Sequence, residues 1–321
     1  MVKILKRISV KNPVAIACWP GMGEVAFRAG LFLKKSLNFR LFAKIENTGF
    51  FSPQGVLVQK GLINLPKIAE GNFYFYKSPS KKRDIILFLA EAQPTLEKAY
   101  EFGKVIVEFI YSYKVLRVFS FAAFPQAIEH TQASSVWISA THKEVLEEFS
   151  SYNLKVLEEG QISGLNGLFL GLAKEKGLKG ACFLGEIPFY TISIENPKAS
   201  LAVLEVLDKY LGLELDFEEL EERAKFLEGE INKLVGYLKG NFPSQEGSPL
   251  SEEDVQRIRR ELERFTKLPQ SAREKIEELF DKASKDLSYA SELKKFLDEW
   301  GVYKEYEDRF LDLFKKKRLD H

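Results

Sequence analysis

A chain of 321 residues, 45% hydrophobic and 29% charged, can bury a large core without the disulfide or metal staples that small domains need. Its 47 basic and 46 acidic side chains give a net charge of +1, which excludes global electrostatic steering toward nucleic acid or anionic lipid. The absence of a long apolar run and of a cleavable leader pattern predicts a cytoplasmic protein without a membrane span.

Strands and helices alternate through the first two thirds of the chain. Apolar runs predict strands over residues 14–18, 39–45, 84–89, 115–121, 135–140 and 180–185. Helical spacing predicts helices over residues 25–37, 95–112, 142–152, 167–176 and 197–210. The shorter runs 55–59 and 73–76 are expected as antiparallel strands at an edge. This pattern predicts an α/β fold with a mixed sheet covered on both faces.

The composition changes after residue 216. A charged helix is predicted over 217–238, and residues 240–249 are rich in Gly, Pro and Ser and predict a linker. Capping boxes at Ser251 and Ser271 predict the starts of two helices. Each predicted helix has a single apolar stripe, and that of the first consists of Val255, Ile258, Leu262 and Phe265. We therefore predict an α/β domain over residues 1–240 and a helical bundle appendage over 241–321.

Two cysteines, Cys18 and Cys182, each lie in a predicted buried strand, so we expect reduced core thiols. The three histidines form no ligand spacing with them, and we predict no metal site. A low methionine count, two in the chain, beside abundant Lys and Glu hints at a thermophilic source.

A first glycine turn, Gly21-Met-Gly23-Glu-Val-Ala26, follows a strand and opens a helix. The spacing fits the phosphate-cradling turn of dinucleotide-binding folds, and Glu46 ends the next strand, where such folds place a ribose-binding acid. The alternative, which we favour, is that the glycines allow a tight strand-to-helix turn.

A second glycine turn, Gly164-Leu-Asn166-Gly167, opens another helix and could hold an anion. We favour a tight loop with Asn166 in a left-handed conformation. Glu91, Gln93 and Glu186 follow or end predicted strands, and the two carboxylates could pair for acid–base work or could cap neighbouring loops. The candidate ligand crevice is therefore Gly21, Gly23, Glu46, Glu91, Gln93, Gly164, Asn166, Gly167 and Glu186.

Recognisable catalytic patterns are missing from the sequence. It has no Gly-x-Ser-x-Gly elbow and no Walker loop, so we predict no catalytic residue and no cofactor. The aromatic run Phe73–Tyr76 beside Lys77, Lys81, Lys82 and Arg83 could stack single-stranded nucleic acid, but a strand with a solvated turn fits the neutral charge better. We expect no nucleic-acid partner.

Taken in order, five segments between residues 13 and 210 resemble the proteasome assembly chaperone family, named after the second eukaryotic assembly chaperone. The Glu-Ala-Gln-Pro and Ser-Gly-Leu-Asn-Gly-Leu elements are the most specific pair. The segments are Trp19–Gly23, Asp84–Pro94, Ile162–Leu168, Gly180–Glu186 and Pro197–Ser200.

The resemblance implies a three-layer α/β/α fold similar to purine nucleoside phosphorylases, a homo-oligomer, and no established enzyme activity. Members with an assigned role help proteasome subunits assemble. Many of them bind the proteasome through a C-terminal tripeptide that consists of a hydrophobic residue, a tyrosine and a third residue of any type. Arg318–His321 lacks that tyrosine, and Phe119–Phe124 lacks the paired glycines expected after its strand. These departures argue against direct engagement of the proteasome and leave the expected fold unchanged.

Two functions follow from the sequence. The first is a non-enzymatic, oligomeric binding protein, an assembly chaperone or scaffold whose partners are proteins, proteasome subunits and itself included. The alternative is a nucleotide- or nucleoside-binding enzyme or sensor that uses the crevice at the glycine turns.

Overall fold

A computed structural model describes residues 2–46, 49–52, 55–79, 83–238, 270–299 and 303–315. The chain divides into two compact units. The first comprises residues 1–124, 133–186 and 195–227, and the second comprises residues 125–132, 187–194 and 228–321. The predicted linker 240–249 and the stripe from Val255 to Phe265 lie outside the described residues, so the boundary at residue 240 stays a prediction.

Eleven strands are found in the described part of the chain, and nine of them form one sheet. They are β1 Val2–Ile4, β2 Val14–Cys18, β3 Arg40–Ile45, β4 Leu57–Gln59, β5 Leu62–Asn64, β6 Gly71–Tyr76, β7 Ile85–Ala90, β8 Arg117–Gln126, β9 Val136–Ala140, β10 Lys155–Val156 and β11 Gly180–Pro188. The large sheet has the order β1-β3-β6-β7-β2-β8-β11-β9-β10, and β4 and β5 pair separately.

The sheet is mixed, as predicted. Strand β2 runs parallel to both β7 and β8, whereas β6 runs antiparallel to β3 and β7. The expectation that residues 73–76 form an edge strand is wrong, because β6 lies inside the sheet and β1 forms that edge. The sequence analysis also missed the short strands β1, β5 and β10.

Helices cover both faces of the sheet. The described helices of the chain are α1 Val25–Ser36, α2 Leu96–Ser112, α3 Lys143–Glu148, α4 Leu165–Glu175, α5 Pro197–Leu211 and α6 Glu218–Leu238, and in the second unit α7 Gln270–Lys285, α8 Ala290–Glu299 and α9 Tyr303–Lys315. Helices α2 and α4 pack together, as do α1 and α5. The predicted helix 142–152 is shorter than expected, and α4 begins two residues before the predicted start.

Alternation along the central strands assigns each helix pair to a face. Ala15, Ala17 and Trp19 join the core cluster that contains Phe102 of α2 and Phe169 of α4. Cys18 points to the opposite face, where it lies against α1. Because both faces are buried, β2 has five consecutive residues without solvent exposure.

The second unit has its own apolar cluster. Ile276, Leu279, Phe280 and Ala283 of α7 are buried against Leu293 and Leu297 of α8. The sequence predicts a stripe of Ile276, Leu279, Phe280, Ala283 and Leu287 on one helix. The first four are confirmed, whereas Leu287 lies beyond the end of α7 at Lys285.

Candidate functional site

Asn166, in the second glycine turn, is fixed by the backbone of Trp19. The Trp19 amide donates to Asn166 Oδ1 at 3.1 Å, and Asn166 Nδ2 donates to the Trp19 carbonyl at 3.2 Å. The carbonyl of Asn166 accepts a hydrogen bond from Ser120 Oγ at 2.6 Å. Asn166 lies inside α4, and the left-handed residue is Gly164, with a φ of 72°. The expected left-handed Asn166 is therefore wrong.

Gln93 connects the first glycine turn to the second. Its Nε2 donates to the carbonyl of Pro20 at 2.7 Å, and its Oε1 accepts from the amide of Leu165 at 3.1 Å. Leu165 is the first residue of α4, so its amide is one of the free donors that an anion would use. Gln93 occupies that donor, and an anion would have to displace it.

Gly167 permits the closest backbone approach in this region. A Cβ at this position would lie 2.0 Å from the carbonyl oxygen of Ile162, well inside van der Waals contact. Gly23 has a different role, because its φ of 60° is left-handed and its carbonyl accepts from the amide of Asn196 at 2.8 Å. Gly21 is extended and lies beside Asn166. These glycines serve contacts within the chain.

Acidic side chains surround the start of α1, where a phosphate cradle was considered. Glu24 precedes the helix, and burial followed by the nearby Glu195 carboxylate raises its pKa, although Arg28 lowers it. Glu195 itself bridges Arg28 at 3.3 Å and Arg223 at 3.2 Å. Two carboxylates here disfavour a phosphate, and the nearby cations are already paired.

Glu46 lies away from the first glycine turn. It follows β3 and is exposed, and the order of the sheet inserts β6 and β7 between β3 and β2. At about 4.8 Å per strand, the two strand ends are roughly 14 Å apart in the sheet. The structure therefore does not place Glu46 where a ribose-binding acid would lie.

The two carboxylates considered as an acid–base pair also lie apart. Glu91 follows β7, where its Oε2 accepts from the amide of Glu70 at 3.2 Å. Glu186 lies in β11 and accepts from Trp137 Nε1 at 2.7 Å and from Lys155 Nζ at 2.9 Å. Strands β2 and β8 separate β7 from β11. Each carboxylate has its own partners: Glu91 accepts from a backbone amide, as the capping alternative predicts, whereas Glu186 accepts from side chains within the sheet.

The environment of Glu186 favours its charged form. Burial alone would raise the pKa of this carboxyl, but hydrogen bonds from Trp137, Lys155 and Ser135 outweigh burial and hold the pKa below its ordinary value of 4.5. A carboxyl whose pKa is lowered on folding stabilises the fold above the unfolded pKa, and this contribution disappears as the pH falls through the folded value.

We predict that Glu186→Gln lowers the free energy of unfolding by about 1–2 kcal/mol at pH 7, because the charge-assisted bond to Lys155 is lost. The difference from wild type should shrink as the pH falls below 4.5 and through the lower pKa of the folded state, where the wild-type carboxyl also becomes neutral. Urea unfolding at several pH values measures it. Glu158→Gln, at an exposed position, is the matched control and should change little. A difference independent of pH would contradict the assignment.

The sequence analysis missed a cavity of about 470 Å³ in the first unit. None of the predicted crevice residues lines it. Lys155 and Lys209 bring positive charge to it, and Glu205 brings a carboxylate whose pKa is raised by burial and then by Glu221. Its lining comes from 134–136, 152–155 and 202–209, and no spacing in the sequence connects these three segments.

The remaining predicted features are structural. Both cysteines are free and buried, as expected, and burial raises the pKa of the Cys182 thiol to about 12. Phe73 and Phe75 are buried within β6, which confirms the strand interpretation, whereas Lys81 and Lys82 lie outside the described residues. Across the described ranges, no three His, Cys, Asp or Glu side chains gather closely enough to hold a metal ion. No described helix is long and apolar enough to cross a bilayer.

Comparison with known proteins decides the family. The model of the PAC2 family matches residues 15–235. The chain belongs to the PAC2 family. The match includes both glycine turns, Gln93 and Glu186.

PAC2 relatives include proteins of known structure. The chain is similar to Pyrococcus furiosus PbaB, an archaeal proteasome activator, with 27% identity and a TM-score of 0.63 over 73% of this chain and 98% of that one. It is also similar to Pyrococcus furiosus PbaA, an archaeal homolog of proteasome-assembly chaperone, with 27% identity and a TM-score of 0.57 over 73% and 96% of the two chains. The uncharacterized protein MJ1210 of Methanocaldococcus jannaschii is 29% identical over 80% of this chain and 98% of its own length.

Proposed function

We propose that this PAC2 protein is a non-enzymatic, oligomeric binding protein of the cytoplasm. Its role is that of an assembly chaperone or scaffold, and its clients are proteasome subunits. The observation that carries the proposal is its 27% identity to PbaA and PbaB, one a homolog of a proteasome-assembly chaperone and the other a proteasome activator. The similarity extends over nearly the full length of both relatives.

The geometry of the glycine turns supports a protein-binding role over small-molecule chemistry. The side chains of Gln93, Asn166 and Glu186 are hydrogen-bonded within the chain. A ligand at these positions would replace existing bonds and gain little. These contacts therefore favour a role that uses other surfaces of the protein.

Binding to proteasome subunits tests the proposal directly. The full-length protein is mixed with purified Pyrococcus furiosus proteasome α- and β-subunits and separated by gel filtration and native electrophoresis. We expect co-elution with at least one subunit and a changed rate or yield of assembled particle. An unrelated protein of similar mass is the control. Failure to co-elute, with assembly unchanged, would count against the function.

A thermal-shift screen with nucleotides and nucleosides tests the alternative. A ligand at a hundredfold excess over its dissociation constant stabilises a protein by about 2.7 kcal/mol, which shifts melting visibly. We expect no shift. A saturable shift that disappears in a Gln93→Ala variant would favour a ligand-binding role at the glycine turns.

A further inference from the structure

A two-stranded hairpin of the first unit stands apart from the large sheet. Strands β4 and β5 pair antiparallel, with Val58 opposite Ile63. Lys60 and Gly61 connect them with φ angles of 52° and 79°. Positive φ at both central residues is typical of the tight turn that favours a hairpin. The hairpin is therefore locally well defined.

The two faces of the hairpin differ in composition. Paired residues share a face, so Leu57, Leu62 and Asn64 lie on one side. The alternation places four branched aliphatic residues on the other side, which we name the aliphatic face: Val56, Val58, Ile63 and Leu65. Their exposed fractions are 52%, 66%, 72% and 77%. The described part of the chain therefore leaves this face open to solvent.

An open aliphatic face is unusual on a hairpin of this kind. A two-stranded hairpin is marginally stable alone in water and needs further packing. Proteins also protect free strand edges with charge or proline. Between Val56 and Leu65 there is no proline, and the one charged residue is Lys60 at the turn. An exposed apolar patch of this kind is typical of a surface that packs against another molecule.

We propose that the aliphatic face packs against the same face of a second copy of this chain. The face has no charged side chain with which to select an acidic or basic partner. In a two-fold arrangement with antiparallel hairpins, the two Lys60 side chains lie at opposite ends and do not repel each other. The inference rests on the oligomeric part of the proposed function.

The area involved fits the centre of a dimer contact. A fully buried Val, Leu or Ile side chain removes roughly 100 Å² from water. At the observed exposures, two copies of the aliphatic face bury about 550 Å², compared with roughly 900 Å² of apolar area in an interface of standard size. The hairpin thus supplies the apolar centre of the contact.

A double substitution tests the surface without touching the core. Val58→Asp with Ile63→Asp places two carboxylates on the aliphatic face of each copy, and both positions are exposed, so the α/β unit should stay folded. Asn64→Asp is the matched control, because it adds a carboxylate to the opposite face of the same hairpin. Light scattering coupled to gel filtration gives the mass of each protein, and circular dichroism monitors folding.

We expect the wild type and Asn64→Asp to form the same oligomer. The double variant should form a smaller species, with its dissociation constant raised about a hundredfold by the buried carboxylates. A monomeric wild type, or a double variant of wild-type mass, would overturn the inference. The inference would also be overturned if the hairpin amides of the wild type were protected from hydrogen exchange only after proteasome subunits are added. Because subunit binding is measured separately, a variant with unchanged mass that still binds subunits contradicts the interface and leaves the proposed function intact.

Discussion

Gly167→Ala is expected to lower the free energy of unfolding by about 3 kcal/mol, at the upper end of the cost of overpacking a tight contact. The new Cβ would lie 2.0 Å from the carbonyl oxygen of Ile162, and that atom belongs to the backbone and cannot rotate away. Either α4 or the preceding loop must move, which would also strain the bond between Gln93 and Leu165. Urea unfolding followed by tryptophan fluorescence measures the loss.

Gly171→Ala provides the control within the same helix. A Cβ at Gly171 meets no atom within 4 Å, and alanine is the better helix former, so this variant should be stabilised by about 0.5–1 kcal/mol. Opposite signs for two identical substitutions four residues apart would separate the close approach from helix propensity. If Gly167→Ala kept its stability, the turn would not serve tight packing.

The layers of the fold could be predicted from sequence because the central strands are buried on both faces. Residues 14–18 and 85–89 are continuous apolar runs, and the structure places β2 and β7 side by side at the centre. The strand over 73–76 was assigned to an edge, yet its residues alternate between buried and half-buried inside the sheet. The tyrosine side chains on its second face made this strand look more exposed than it is.

The order of strands in the sheet could not be predicted, and this misplaced the candidate site. In dinucleotide-binding folds the acid at the end of the next strand lies near the first glycine turn, and Glu46 follows β3, the next strand after β2. In the sheet, β6 and β7 lie between them. For the same reason, Glu91 and Glu186 seemed able to share a crevice. Chain neighbours become sheet neighbours often but not always, and long-range pairing leaves no local pattern.

The contacts that join the two glycine turns were also hidden. Gln93 was assigned to a candidate crevice by its place after a strand, and its partners Pro20 and Leu165 are 73 and 72 residues away. The hairpin partner Leu62–Asn64 was missed, although Lys60-Gly61 is a turn sequence, because the run is only three residues long. Residues 125–132 and 187–194 join the second unit without any change in composition to mark them.

Asn166→Ala is expected to destabilise the protein by about 3 kcal/mol, because it removes both hydrogen bonds to Trp19. Trp19 has no solvent exposure, so water cannot replace the lost partners of its amide and carbonyl. Gln93→Ala also removes two bonds, but Gln93 is half-buried, so we expect a loss of about 1 kcal/mol. The midpoints of denaturant unfolding, analysed with the same m-value for all variants, give both losses of stability. A ligand-binding asparagine would behave differently, because its removal would leave the stability unchanged and abolish ligand binding.

An Asn166→Ala variant as stable as wild type would therefore show that the hydrogen bonds of Asn166 do not serve to hold β2 and α4 together.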